Sequence, residues 1–340
     1  MRPLTVTTPK PMLPTAGVPF LEHLLSRVRE AGIGHVILST SYKPEVFRSH
    51  FGDGSQVGLD IEYVTEEVPL GTGGGIRNVA DLLRAQSVMI FNGDVLSGLD
   101  LRAMIASHER HDAAVTLHLT RVEDPRAFGS VPTGESGRVQ DFLEKSPNPV
   151  TDQINAGCYL FRREIVEEIP AGRAVSVERE TFPALLERGA AVYGHVDSTY
   201  WLDLGTPKAF VQGCRDLVRG IAPTFALPGP TGEALVLPGA EVAPDAELSD
   251  GTTVGRGARI GSSSRLRGCV VFDEARVGAN CRLEHSVVGR GAVLSDGVVL
   301  VDAVVGDGAV IGPRNELIGG TRVWPGVELG ACAIRFSTDA

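Results

Sequence analysis

The stretch VGRGARIGSSSRLRGCV (residues 254–270) is followed by VFDEARVGANCRLEHSV (residues 271–287), which repeats its pattern of aliphatic and small residues. An aliphatic residue opens each block of 17, at Leu237, Val254, Val271, Val288 and Val305. Inside the blocks an aliphatic residue recurs every five or six positions, which is typical of a hexapeptide-type β-helix with three short strands per coil. A β-sandwich does not readily produce a fixed period of 17. The sequence therefore predicts a β-helix over residues 237–340, with aliphatic side chains inside.

Composition excludes several classes of protein. The 340 residues carry a formal net charge of −10, which argues against a general nucleic-acid binder. No apolar run reaches the ~20 residues that a membrane span needs, and Met1 is not followed by the apolar segment of a signal peptide. The five cysteines never form C-x-x-C, so reduced thiols in the cytoplasm are predicted rather than disulfides or a zinc site.

The first two thirds of the chain have a different periodicity. Helical and extended patterns alternate over residues 18–220, which predicts an α/β domain with a largely parallel sheet. We expect this domain to span residues 1–220, with a linker rich in proline and glycine at 221–236. Predicted helices cover 20–28, 44–51, 74–85, 99–110, 179–188 and 207–219; predicted strands cover 35–39, 59–64, 88–91, 114–119, 139–143, 157–161 and 191–196.

Lysine is rare in this chain. Four lysines stand among 32 basic residues, at positions 10, 43, 145 and 208. Lys10 lies between Pro9 and Pro11, so its backbone is stiff and its ammonium group suits a phosphate. The alternative is an ordinary surface loop.

A glycine cluster over residues 71–75 precedes a predicted helix. Glycines there let a ligand approach the backbone and offer it N–H groups. The cluster matches neither the P-loop nor the dinucleotide-binding pattern, which leaves recognition of a flat base edge or a simple tight turn.

Two aspartates are candidate metal ligands. Asn92-Gly93-Asp94 ends a buried strand, where open α/β sheets bind their ligands, and Asp94 could hold Mg²⁺. The alternative is an Asx-turn. Asp203 could be the second carboxylate, although the Thr206-Pro207 that follows also suits a plain helix start.

A carboxylate and a lysine follow another apolar strand. Glu144 and Lys145 precede Asn155 and Gly157, a set suited to sugar hydroxyls and a sugar phosphate, or to a weak surface ion pair. Glu178 lies in a segment that favours a helix capping box.

The order of these motifs is more specific than any one of them. Over its whole length the chain resembles the nucleoside-diphosphate-sugar pyrophosphorylases. The resemblance rests on the order of the motifs, which is Pro-Lys-Pro, Pro-Leu-Gly-Thr-Gly-Gly, Asn-Gly-Asp, Glu-Lys, Asn-Ala-Gly and Trp-Leu-Asp-x-Gly-Thr, followed by the β-helix. The resemblance is strongest to bacterial mannose-1-phosphate guanylyltransferases, supported by residues 71–78, 176–180 and the ending Ile334-Arg335-Phe336-Ser337.

The resemblance implies a Rossmann-like, mixed, mainly parallel sheet and then a left-handed parallel β-helix that serves assembly and stability as a homo-oligomer. It implies transfer of GMP from GTP to mannose 1-phosphate with Mg²⁺, in the cytoplasm. Relatives acting on glucose 1-phosphate with uridine, thymidine or adenine nucleotides share most motifs, and that alternative stays open. So does a non-catalytic regulatory paralogue.

The resemblance also implies residue roles. Lys10 would contact nucleotide phosphates, Lys145 the sugar phosphate and Glu144 the sugar hydroxyls, while Asp94 and Asp203 would hold Mg²⁺. The remaining substrate-binding residues implied are Leu70, Gly71, Thr72, Gly73 and Gly74 for the base and ribose, and Asn92, Gly93, Asn155, Gly157 and Glu178 for the rest of the substrate.

The beginning of the chain departs from this pattern. The family opens with a strand and a G-x-G-T-R-L-R-P-L-T loop, and Met1 of this sequence falls on the leucine of that loop. Arg2 matches the second arginine of the loop and does not replace the first. We therefore expect either a longer native protein that is active or a non-catalytic paralogue, and weak or no catalysis by the chain as written.

Overall fold

The computed structural model describes residues 1–227 and 229–335. Pro228 of the predicted linker, and Phe336 and Ser337 of the ending noted above, lie outside the described residues. The described chain divides into two compact units, residues 28–201 and residues 1–27 together with 202–340. Its α-helices are α1 Phe20–Glu30, α2 Pro44–Phe51, α3 Gly71–Asn78, α4 Leu101–Arg110, α5 Arg163–Glu168, α6 Phe182–Glu187 and α7 Pro207–Val218.

Twelve short strands precede the β-helix in the described residues. They are β1 Pro14–Thr15, β2 Val18–Pro19, β3 His35–Thr40, β4 Asp60–Thr65, β5 Ser87–Phe91, β6 Val95–Ser97, β7 Val115–Arg121, β8 Gly129–Ser130, β9 Leu143–Glu144, β10 Gln153–Arg162, β11 Val192–Val196 and β12 Trp201–Asp203.

The main sheet of the unit 28–201 is mixed. Strand β10 is antiparallel to both β5 and β7, and β7 is parallel to β11, so β5, β7 and β11 share one direction. Strands β3 and β4 form a separate parallel pair. Helix α6 packs on the sheet through Phe182, whose ring lies against Tyr159 and Phe161 of β10. The predicted α/β fold is confirmed, with β10 and the short β9 as the reversed strands.

Three of the predicted elements differ from the structure. The helix expected at 74–85 begins at Gly71, ends at Asn78 and is followed by a 3₁₀ turn, Ala80–Leu82. The strand expected at 139–143 is reduced to β9 and an isolated bridge between Val139 and Thr133. The helix expected at 179–188 is a π-type turn, Val177–Thr181, that leads into α6.

The predicted β-helix is confirmed as a parallel solenoid of three sheets. Its core holds the predicted aliphatic residues, including the fully buried Val254, Leu283 and Val305. One sheet is β13 Ala234–Val236, β16 Thr252–Val254, β19 Val270–Val271, β22 Val287–Val288, β25 Val304–Val305 and β28 Arg322–Val323. The second is β14 Glu241–Val242, β17 Arg259–Ile260, β20 Arg276–Val277, β23 Val293–Leu294, β26 Val310–Ile311 and β29 Glu328–Leu329. The third is β15 Glu247–Ser249, β18 Arg265–Arg267, β21 Arg282–Glu284, β24 Val299–Val301 and β27 Glu316–Ile318.

The register of the outermost coils departs from the predicted period. Val254 pairs with Val271 as predicted, but on the other side it pairs with Val236 and not with Leu237. Likewise Val305 pairs with Val323. Each outer coil therefore contains one residue more than the inner ones. Trp324, which follows β28, is 49% exposed. None of the described helices is long and apolar enough to cross a membrane.

Candidate active site

A bulge in β10 carries two of the predicted site residues. The register of β10 against β7 shifts between Asn155 and Tyr159, and Gly157 within the bulge has a φ of +79°. The Gly157 N–H donates to Asn155 Oδ1 at 3.1 Å, and Asn155 Nδ2 donates to the Tyr159 hydroxyl at 2.8 Å. Both ends of the Asn155 amide are therefore fixed by β10 itself.

The same bulge holds the end of β5. The Asn92 N–H donates to the Gly157 carbonyl at 2.8 Å. A Cβ at position 157 would lie 2.8 Å from Asn92 Nδ2, and the φ of +79° also favours glycine there. This contact brings Asn92, and with it the Gly93-Asp94 turn, to the predicted sugar-binding residues.

Glu144 and Lys145 lie at the end of the short β8–β9 ribbon. Lys145 Nζ is 3.8 Å from Glu144 Oε1, with 63% of the lysine side chain exposed and 20% of the glutamate side chain. Burial and the nearby charge of Glu178 raise the pKa of Glu144, and Lys145 and Arg179 only partly offset them. A sheltered carboxylate of this kind gains from hydrogen-bond donors such as sugar hydroxyls.

Thr72 on α3 links the glycine cluster to Glu178. Its hydroxyl donates to Glu178 Oε2 at 2.9 Å and accepts from the Val177 N–H at 2.9 Å. Ser176 Oγ donates to the same Glu178 oxygen at 2.7 Å and accepts from the Arg179 N–H, which confirms the predicted cap of this turn.

The glycines of α3 serve close packing. The N–H groups of Gly73 and Gly74 donate to the Val175 carbonyl, at 2.8 and 3.3 Å. A Cβ on Gly74 would lie 2.6 Å from the Arg173 carbonyl oxygen. The N–H of Leu70 donates to Glu66 Oε2 at 3.1 Å. Contact of residues 70–74 with a base stays a prediction, and three of their N–H groups already have protein acceptors.

The other unit contains two further predicted residues, Lys10 and Asp203. Lys10 Nζ is 3.9 Å from Asp203 Oδ1, and 23% and 38% of these side chains are exposed. Thr206 caps α7 by accepting from the Ala209 N–H at 3.1 Å, so the predicted helix start after Asp203 is present as well.

The donor chemistry of Asp94 and Asp203 fits the implied magnesium ion. Mg²⁺ prefers hard oxygen ligands and takes only one or two carboxylates from a protein, with phosphates and water as the rest. Within residues 1–227 and 229–335, no group of three or more His, Cys, Asp or Glu residues is arranged to hold a metal. The metal role of the two aspartates stays a prediction.

Sequence reasoning gave Tyr159 and Glu66 no role in the site and predicted Ser176 only as a helix cap. All three orient predicted residues: Tyr159 holds Asn155, Ser176 holds Glu178, and Glu66 holds Leu70. The spacing of Asn155 and Tyr159 gave no signal, because side chains four apart approach each other in a strand only across a bulge.

Comparisons with known proteins identify the family of this chain. Residues 1–219 match the nucleotidyl transferase family, and residues 230–325 match the GMPPB C-terminal domain. The chain is 63% identical over 340 residues to a mannose-1-phosphate guanylyltransferase of Mycobacterium tuberculosis, covering all of this chain and 95% of that protein.

More distant relatives agree as well. A mannose-1-phosphate guanylyltransferase catalytic subunit beta of Danio rerio is 34% identical over 297 residues, covering 80% of this chain and 82% of that one. Among solved structures, HddC of Yersinia pseudotuberculosis complexed with GMP-PN is 27% identical with a TM-score of 0.56, over 64% of this chain and 93% of that one. On its sequence and its fold, the chain belongs to the nucleotidyl transferase family.

Proposed function

We propose that this protein is a mannose-1-phosphate guanylyltransferase, which converts GTP and mannose 1-phosphate into GDP-mannose and pyrophosphate. The observation that carries the proposal is the 63% identity, over the whole chain, with the Mycobacterium tuberculosis enzyme of that name. The likeness to HddC, which was solved with GMP-PN, supports a guanine nucleotide. The hydrogen bonds among Asn92, Asn155 and Gly157, together with the charges of Glu144 and Glu178 that act on Tyr159 of β10, support a polar sugar pocket.

The reaction needs positioning and charge neutralisation. A phosphate oxygen of mannose 1-phosphate attacks the α-phosphorus of GTP in line, and pyrophosphate leaves. The phosphate monoester is already a nucleophile at neutral pH, so no side chain has to remove a proton. Lys145 would hold the sugar phosphate and Lys10 the nucleotide phosphates as compact point charges. Glu144 and Asn155 would orient the sugar.

Three finer proposals accompany this one. Asp94 and Asp203 would hold Mg²⁺, which supplies neutralisation of the phosphate charges when bound. The protein would act in the cytoplasm, in keeping with its five free cysteines. It would assemble as a homo-oligomer through the β-helix.

Substrate choice tests the proposed function. The protein would receive GTP, ATP, UTP and dTTP together, with equal mannose 1-phosphate and glucose 1-phosphate, and mass spectrometry would identify the sugar nucleotides formed. We expect GDP-mannose to form fastest. A different sugar nucleotide as the main product would assign another substrate pair. Binding of GDP-mannose without any turnover would favour the regulatory paralogue.

A further inference from the structure

The N-terminal segment that carries Lys10 lies along the β-helix. We name residues 1–19 the lysine loop. Arg322 donates to the Arg2 carbonyl at 3.1 Å, the Thr7 hydroxyl donates to Asp307 Oδ2 at 2.7 Å, and Arg256 donates to the Gly17 carbonyl at 3.2 Å. These three solenoid residues belong to the sixth, fifth and second coils. At about 4.8 Å per coil, the contacts of Thr7 and Gly17 lie about 14 Å apart along the solenoid.

The lysine loop is buried in part, and it also approaches the solenoid closely at Gly17. Leu4, Met12 and Leu13 of the lysine loop are 3%, 6% and 1% exposed. Gly17 lies so close to Leu237 that a Cβ there would be 2.9 Å from a methyl carbon of that leucine. The loop is therefore held at both ends and along its length.

Lys10 stands between these attachments on a stiff backbone. The Met12 N–H donates to the Pro9 carbonyl at 2.9 Å and the Leu13 N–H donates to the Lys10 carbonyl at 3.2 Å, which closes a 3₁₀ turn. Proline fixes φ on both sides of the lysine. Since the side chain starts from a backbone held in this way, the place of its ammonium group beside Asp203 depends on where the solenoid holds the loop.

Asp307 can hold Thr7 in a defined place because the solenoid fixes the position of the aspartate itself. Its Oδ1 accepts from the Arg290 N–H of the preceding coil at 2.9 Å, which leaves Oδ2 directed to Thr7. Asp273 and Asp296 make the same bond to the preceding coil, each at 2.8 Å. Asp296 is therefore a matched reference for Asp307, with the solenoid bond but without the bond to Thr7.

We infer that the β-helix positions Lys10 for nucleotidyl transfer, with Asp307 and Thr7 as the positioning pair and with Arg256 and Arg322 as further anchors. The inference rests on the proposed function for the role of Lys10 and goes beyond the expectation that the solenoid serves only assembly and stability. Asp307 touches no reacting group and acts through the loop.

Steady-state kinetics of the full chain test the pair. Thr7→Val should lower kcat/KM for GTP by about tenfold, because small displacements of a positioned group are costly, and Thr7→Ser should restore it. Asp307→Ala should lower kcat/KM similarly, and Asp296→Ala should lose comparable thermal stability with kcat/KM within twofold of wild type. Because Asp307→Ala already removes the bond to Thr7, the double variant Thr7→Val/Asp307→Ala should be little slower than Asp307→Ala.

Hydrogen exchange separates this inference from the proposed function. The amides of Leu4, Met12 and Leu13 should exchange faster in Asp307→Ala and in Thr7→Val than in wild type or Asp296→Ala. This readout needs no turnover, so an inactive wild-type chain would count against the proposed function alone. Equal exchange in Asp307→Ala and Asp296→Ala, or wild-type kcat/KM in Thr7→Val, would overturn the inference. Because Thr7→Val leaves the solenoid ladder intact, it decides the matter even if Asp307→Ala does not fold.

Discussion

Removal of the Tyr159 hydroxyl should loosen the predicted sugar pocket without disturbing the core. Tyr159 is 1% exposed, and its ring packs against Phe161 and Phe182, contacts that Tyr159→Phe keeps. Burial, together with the charge of Glu178, raises the pKa of Tyr159, so the hydroxyl is neutral throughout the working range. The variant therefore removes one defined contact, the acceptor of Asn155 Nδ2 at 2.8 Å.

The size of the effect follows from that contact. A net intramolecular hydrogen bond contributes about 0.5–1.5 kcal/mol, and an amide left without an acceptor costs about 1–3 kcal/mol when it is buried. Because Asn155 is only half buried, water can replace part of the loss, and we expect Tyr159→Phe to lower the free energy of unfolding by about 1–2 kcal/mol. A less constrained Asn155 should raise KM for mannose 1-phosphate about threefold to tenfold and leave KM for GTP nearly unchanged.

Urea denaturation and steady-state kinetics measure both effects. Tyr193→Phe is the control, because Tyr193 is half buried on β11, which β7 separates from β10, and stacks on His111 at 4.4 Å. It should shift the free energy of unfolding by less than about 0.5 kcal/mol. If Tyr159→Phe matched this control in both stability and KM for the sugar phosphate, then Asn155 would not depend on Tyr159 and our description of the pocket would be wrong.

Lys145→Arg and Lys145→Ala should both lower kcat/KM by about tenfold to a hundredfold, because a guanidinium does not replace a compact ammonium. The control is Lys208→Arg on α7, whose kcat/KM should stay within twofold of the wild-type value. Because burial and Glu178 raise the pKa of Glu144, kcat/KM should fall on acidification at a pH above the usual range of glutamate, and Glu178→Gln should move that fall to lower pH. A carboxyl whose pKa is raised in the folded state lowers the stability of the protein at any pH where it is ionised. Glu144→Gln should therefore increase the free energy of unfolding at pH 7 while weakening sugar binding. A decrease in the free energy of unfolding would contradict this expectation. Chelation should abolish turnover until Mg²⁺ is restored, and Asp94→Asn or Asp203→Asn should each raise the Mg²⁺ concentration required; full turnover in excess chelator would exclude the ion.

The β-helix could be predicted in detail because its period is local in the sequence. Each coil repeats the same aliphatic spacing, so Val254, Val271 and Val288 identify the register without knowledge of any distant contact. The period of 17 failed in the two outer coils, because the one extra residue in each leaves the aliphatic pattern unchanged.

Elements that depend on distant contacts were harder to predict. Glycines disfavour a helix, yet α3 begins at Gly71 because the Val175 carbonyl, about a hundred residues away in the sequence, accepts from Gly73 and Gly74. Site residues at strand ends could be picked out one by one. The residues that orient these site residues could not be predicted in this way. The hydrogen bond from Asn155 to Tyr159 needs the β10 bulge, and the hydrogen bond from Thr7 to Asp307 joins residues 300 positions apart.

The most direct test of the account follows the phosphate oxygens of the sugar. The protein would be incubated with unlabelled GTP, Mg²⁺ and mannose 1-phosphate whose phosphate carries ¹⁸O, and both products would be examined by mass spectrometry and ³¹P NMR. Attack by the sugar phosphate on the α-phosphorus predicts GDP-mannose that retains every labelled oxygen, including the one that bridges the two phosphorus atoms, with unlabelled pyrophosphate. Label in the pyrophosphate, or loss of label from GDP-mannose, would contradict the account.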